Sequence, residues 1–160
     1  MFLNALEFLE IEREGWRPFE VLDDLPDERL GEVPDGAHGW SGRDLMAHML
    51  AWQGVALDVA RELAVGETSA TIARVDADWE TRGGEAVNAD IQATWAALPM
   101  DELRRRFRSQ PGELRGTLTV VPESRWIKHA DHMRTIAEET LDHYADHAPD
   151  LEVILAAGRR

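Results

Sequence analysis

The chain has no cysteine at all. That excludes disulfides and thiolate ligands, so any metal must be held by His, Asp or Glu. It is also short of positive charge, with 17 basic against 31 acidic residues and a formal net charge of −14. Such a field repels phosphate backbones and anionic lipid, and no counterion-release route to nucleic acid is expected. No apolar run approaches the roughly 18 residues of a membrane span. The opening MFLNALEFLEIERE has neither the basic start nor the small-residue cleavage site of a signal peptide. A cytoplasmic protein is therefore expected, with neither nucleic acid nor membrane as partner. Internal repeats and low-complexity segments are lacking too, and 160 residues with 44% hydrophobic content suit one domain over 1–160 with one core.

Proline and glycine punctuate what is there into four helical stretches, which predicts an all-α four-helix bundle with long connections. The first stretch begins near Phe2, with Phe2, Leu6, Leu9 and Trp16 on its apolar side and Glu7, Glu10, Glu12 and Glu14 on its polar side, and ends at Pro18. After a connection of about two dozen residues, long for a helical hairpin, Ser41 and Asp44 form a capping-box pattern ahead of the second helix. There Leu45, His48, Trp52, Val55, Val59 and Leu63 share one face, while Arg43, Gln53 and Arg61 point away, and Gly66 ends the helix. A third helix is expected from Glu85 to Leu98, stopped by Pro99. Arg104, Arg105, Arg106 and Arg108 follow Asp101 and Glu102 as the solvated face of a short helix. RGTLTVVP has strand character without a partner, so Gln110–Arg125 reads as an extended loop. The fourth helix runs from Trp126 to Ala148, closed by Pro149, and carries four of the six histidines.

On that helix His129, His132, Ile136, Glu139, Thr140, His143 and His147 form one mixed stripe. Residues four apart stand about 5 to 6 Å apart at Cβ, so His143 and His147 can converge on one ion. A third ligand must come from elsewhere, and His48 is the histidine embedded in another helix's apolar face. Three imidazoles suit Zn, Ni, Fe or Co, with Zn or Ni foremost, and leave a coordination position open to water or substrate. A histidine on an apolar face is equally the mark of a hydrogen-bonded core residue, and an i, i+4 pair arises by chance, so these residues alone also admit a metal-free bundle.

The segment GWSGRDLMAHMLAWQ, Gly39 to Gln53, resembles the second-helix signature of the DinB-like, YfiT-like metalloprotein superfamily, in which a Trp-Ser pair precedes a ligand histidine; Trp40, Ser41 and His48 match it. ETLDHYADHAPDL, Glu139 to Leu151, resembles the last-helix signature, with His143 and His147 at its His-x-x-x-His positions. The phrases AHMLAWQ and HYADH look nearest to the branch of ClbS-like and DfsB-like proteins and mycothiol-dependent maleylpyruvate isomerases. Those isomerases use a Glu where this chain has His143, a departure that favours the three-histidine arrangement and weakens the case for isomerase activity beside thiol transfer or hydrolysis.

What it implies is a metal-dependent enzyme acting on a small electrophilic substrate, by hydrolysis or by transfer of an external low-molecular-weight thiol, since the chain has no thiol of its own. Glu139, one turn before His143, is the candidate to accept a proton or to orient a ligand imidazole. A small-molecule sequestering protein is the reading from another class. His129 and His132 lie some 15 to 20 Å from the proposed ion, and are expected to face solvent or else to line the far end of a pocket. Trp40, Trp79, Trp95 and Trp126 fall near helix ends and Trp52 lies one turn beyond His48; some would wall a cavity, and an exposed tryptophan patch would support a homodimer. Tyr144 is expected to pack against a neighbouring helix.

Overall fold

The computed structural model describes residues 2–157, and these are helical with no strand. Helix α1, Ala5–Trp16, is capped by the Asn4 side chain, which accepts from the Glu7 N–H at 3.0 Å. Its buried side is Phe8, Glu12 and Trp16, and Leu6 is exposed. The expected register is therefore corrected: acidic Glu12 faces inward because Arg115 and Tyr144 meet its carboxylate there.

A 3₁₀ stretch, Arg17–Asp24, and the one-turn helix α2, Asp27–Leu30, carry the chain across one end. The arginine cluster pins this crossing. Arg104 donates to Asp27 at 2.7 Å and to the Leu25 carbonyl at 2.6 Å, and Arg108 reaches Asp23. Arg105 and Arg106 pair with Glu102.

Helix α3, Gly42–Val65, is the central element. Ser41 and Asp44 form the full capping box, Ser41 accepting from the Asp44 N–H and Asp44 accepting from the Ser41 N–H at 2.9 Å. The helix is enclosed on more than one face, so Gln53, expected to point outward, is buried with the apolar residues. Helix α4, Ala70–Arg82, fills a stretch for which no helix was expected; Ser69 caps it, and only Thr71 is fully buried on it. Gly83 turns the chain with φ +77°, and α5 follows as Gly84–Ala96. Gly84 leaves room for the Trp79 indole, against which a Cβ would collide.

Helix α6, Met100–Val120, overturns the extended-loop reading of 110–125. Leu103, Phe107, Pro111, Leu114 and Leu118 form one buried stripe along it, and α6 packs lengthwise on α3. Burial of that stripe outweighs the strand preference of Thr117–Val121 and the hydrogen bond lost at Pro111. The last helical rod consists of α7, Ala130–Ala137, a π-helical turn, Glu138–Asp142, and α8, His143–Ala157. It does not stop at Pro149: Leu151 and Ile154 remain buried beyond it.

The core forms two apolar clusters. Glu12 lies along α1 between Phe8 of one and Trp16 of the other, so a polar network occupies their junction. Tyr144 Oη donates to Glu12 Oε1 at 2.8 Å and accepts from Gln53 Nε2 at 2.7 Å, while Arg115 donates to Glu12 Oε2 at 2.9 Å. Tyr144 thus packs between helices, as expected. Among the described residues no helix is long and apolar enough to cross a membrane.

Candidate metal centre

The second turn of α3 and the first turn of α8 face each other. His48 is 2% exposed, and its Nε2 lies 2.9 Å from Nε2 of His143. The three rings of His48, His143 and His147 make a nearly equilateral triangle, with centroids 4.9, 4.7 and 4.8 Å apart. One donor atom from each lies within 4.8 Å of the others. The three expected ligands are brought together.

The donor set could hold a metal ion. Coordination needs neutral imidazole. Burial, reinforced by the other imidazoles, pushes His48 down to about 2 and His143 down to about 3, so both are neutral at ordinary pH. Nδ1 of His147 is 2.8 Å from Asp150 Oδ2. A proton on Nδ1 donated to that carboxylate leaves Nε2 as the free lone pair, the arrangement by which a carboxylate orients a ligand histidine. His48 Nδ1 is buried without a hydrogen-bond partner, so the cluster is not a closed network.

Trp40 roofs the cluster, stacked on His147 at 5.5 Å and tilted over His48 at 4.5 Å. It follows an unusual loop: Gly36, Ala37, His38 and Gly39 all have positive φ, from +48° to +111°. The loop is closed by N–H donation from Gly39 to the Gly36 carbonyl at 2.9 Å and from Trp40 to the Ala37 carbonyl at 2.8 Å.

On the opposite side His143 borders a cavity of about 450 Å³ whose walls include Trp52, Trp79, Asp76, Arg134 and Glu139. Trp52 Nε1 donates to Asn88 Oδ1 at 3.0 Å, which fixes that indole 5.9 Å from the His143 ring. Burial, aided by Glu138 and Asp76, raises the Glu139 carboxyl to about 8. At neutral pH in the metal-free protein it is therefore mostly protonated.

His129 and His132 stand apart from this cluster. His129 accepts from the His132 N–H at the start of α7, and the two rings stack at 3.7 Å. His132 is buried, not solvent-facing, with Nδ1 2.6 Å from the Arg125 carbonyl. Of the tryptophans, Trp126 fills the core, Trp95 lies under Arg106, and Trp40, Trp52 and Trp79 surround the site.

Sequence reasoning missed Asp150, His38 and the α4 wall. Asp150 was legible, because a carboxylate three residues after His147 falls on the same face, but Pro149 was read as the helix end. Helix α4 carries too few buried residues to announce itself, and nothing in the sequence brings His38 near His147. Neither the protein-family models, nor the curated proteins, nor the solved structures include a match to this chain.

Proposed function

We propose that this chain is a member of the DinB-like, YfiT-like superfamily, with α1, α3, α6 and the α7–α8 rod as its four-helix bundle, and that it works as a metal-dependent enzyme on a small electrophile. The observation that carries this reading is the triangle of His48, His143 and His147, whose donor atoms converge beside a cavity, with His48 and His143 held neutral by burial. Zinc or nickel is the fitting ion for such nitrogen donors. A bound ion supplies Lewis acidity there, lowering the pKa of a coordinated water or external thiol and leaving a position for substrate.

The protein's own part is to bind, orient and exclude water. Trp52 and Trp79 offer apolar walls to the substrate body, with ring centroids 5.9 Å apart and roughly perpendicular planes. Asp150 holds His147 in the ligand tautomer. Glu139 lines the same cavity and exchanges a proton with the molecule bound there.

The test is metal content of protein purified without a histidine tag, beside His48→Ala and the double variant His143→Ala, His147→Ala. About one equivalent in the parent, lost in both folded variants, is expected. A folded parent that carries no metal and gains no thermal stability from Zn, Ni, Fe or Co would sink the reading. Turnover of candidate electrophiles beyond one equivalent, with and without small thiols, then separates catalysis from sequestration.

A further inference from the structure

A second group of donors stands on the outer side of His147. Asp150 Oδ2, 2.8 Å from His147 Nδ1, is also 3.5 Å from Nε2 of His38. The donor atoms of His38, His147 and Asp150 lie within 4.8 Å of one another. In a tetrahedral site with bonds of about 2.0 to 2.1 Å, two donors stand about 3.4 Å apart, so the separation of His38 and Asp150 suits one edge of such a site. Two imidazoles and a carboxylate are ligands for the same class of divalent ion as the inner triangle.

The two groups differ in access. His38 has 67% of its side chain exposed, whereas the side chains of His147 and Asp150 are 12% and 10% exposed and His48 lies deeper still. His38 reaches this position only through the left-handed run at 36–39, in which Ala37 and His38 adopt φ of +48° and +57°. Non-glycine residues there are strained, and such strain persists where the surroundings over-determine the backbone. The same loop places Trp40 against His38, His48 and His147, so one strained segment roofs both donor groups.

We propose that His38, Asp150 and His147 form an outer, weaker divalent-metal site that captures an ion from solvent before it passes to His48, His143 and His147. The passage rests on the inner-site reading; the outer site does not. His147 serves both through different nitrogens. With an ion on Nδ1, the single ring proton sits on Nε2; when the ion moves inward onto Nε2, the proton returns to Nδ1 and is donated to Asp150. A ring with one proton cannot serve both sites at once, so the parent holds one tightly bound ion and not two.

Cobalt(II) is the probe, followed by its visible absorption and by equilibrium dialysis. The double variant His48→Ala, His143→Ala lacks two inner ligands and is expected to keep one weakly bound equivalent, which the added change His38→Ala removes. His48→Gln, His143→Gln replaces it should the alanine pair not fold. This arm decides the outer site whether or not the inner site binds, so the two readings fail separately. In the second arm, His38→Ala in the otherwise intact chain is expected to load at least ten-fold more slowly, with the same final stoichiometry and dissociation constant. Equal binding by the double and triple variants, or loading of His38→Ala at the parental rate, would overturn the proposal.

Discussion

Adjacent residues of α8 belong to two polar regions that the same fold treats in opposite ways. Tyr144 joins Gln53, Glu12 and Arg115 in a network where the phenol, the amide and both carboxylate oxygens have partners at 2.7 to 2.9 Å. His143 joins His48 and His147, where three imidazole donors crowd together and His48 Nδ1 goes without a partner. The first region is complete as it stands and holds two apolar clusters in register. The second is left incomplete in a site where burial keeps His48 and His143 neutral, the state in which an imidazole can ligate a cation. A buried network whose members are all satisfied argues for structure, whereas converging lone pairs argue for a ligand.

Acid should separate the two regions most strongly. His48 and His143 have folded values of about 2 and about 3 against an ordinary 6.5. Between those limits the unfolded chain takes up protons that the folded chain refuses, so stability falls as pH falls below about 6.5, on the order of 1 kcal/mol per pH unit for each histidine. Urea midpoints of the metal-free protein from pH 7 to 5 measure this. The slope should flatten in His48→Gln, His143→Gln, and an unchanged slope would mean that the triangle is more hydrated than its burial implies.

The complete region is tested by removing one partner. Arg115→Met leaves the carboxylate of Glu12, which is 0% exposed, facing Tyr144 alone. Burial already raises the Glu12 pKa, with Arg115 opposing that shift. A loss of about 3 kcal/mol is expected, the lower end for a broken buried pair because Arg115 is partly exposed, and adding Glu12→Gln should restore much of it. Metal stoichiometry of the folded variant should stay that of the parent. If it falls as well, the two regions are one cooperative unit and the contrast fails.

The same contrast explains what could be read from sequence. Within α3 the capping box of Ser41 and Asp44 and the apolar spacing around His48 are local signals, and His143 with His147 needs only the geometry of a single helix. These were legible. Glu12 and Gln53 were assigned to solvent because hydropathy marks a polar residue as exposed until its partner is known, and their partners lie on α6 and α8, far along the chain. Helix α6 was hidden by Thr117, Val120 and Val121, whose strand preference gives way to burial of Leu114 and Leu118 against α3. Long-range pairing also explains His38, held by a backbone conformation that its own residue type disfavours.

Smaller changes sharpen the incomplete region. Asp150→Asn removes the carboxylate charge 2.8 Å from His147 Nδ1 while leaving the three histidines of the proposed site intact. Metal affinity should fall by about 10- to 100-fold with the stoichiometry unchanged, as loss of an orienting carboxylate typically produces. Competition with a chelator of known affinity measures it. Unaltered affinity would mean that packing under Trp40, not Asp150, fixes the ring.

Glu139→Gln is expected to have the smallest effect on stability and the most informative one. The carboxyl is raised from an ordinary 4.5 to about 8, mainly by burial. Its contribution to stability is therefore fully present below pH 4.5 and is lost as pH rises through 8, because the unfolded chain ionises first. Glutamine imitates the protonated form at every pH. In the metal-free state the variant should match the parent near pH 5 and exceed it by about 1 kcal/mol near pH 9, a modest figure because solvent reaches part of the side chain. A bound dication nearby would favour the carboxylate and shrink that gap, so comparing metal-free and loaded protein shows whether Glu139 senses the ion. A gap that metal leaves unchanged would place Glu139 beyond the field of the triangle and remove it from the chemistry of the cavity.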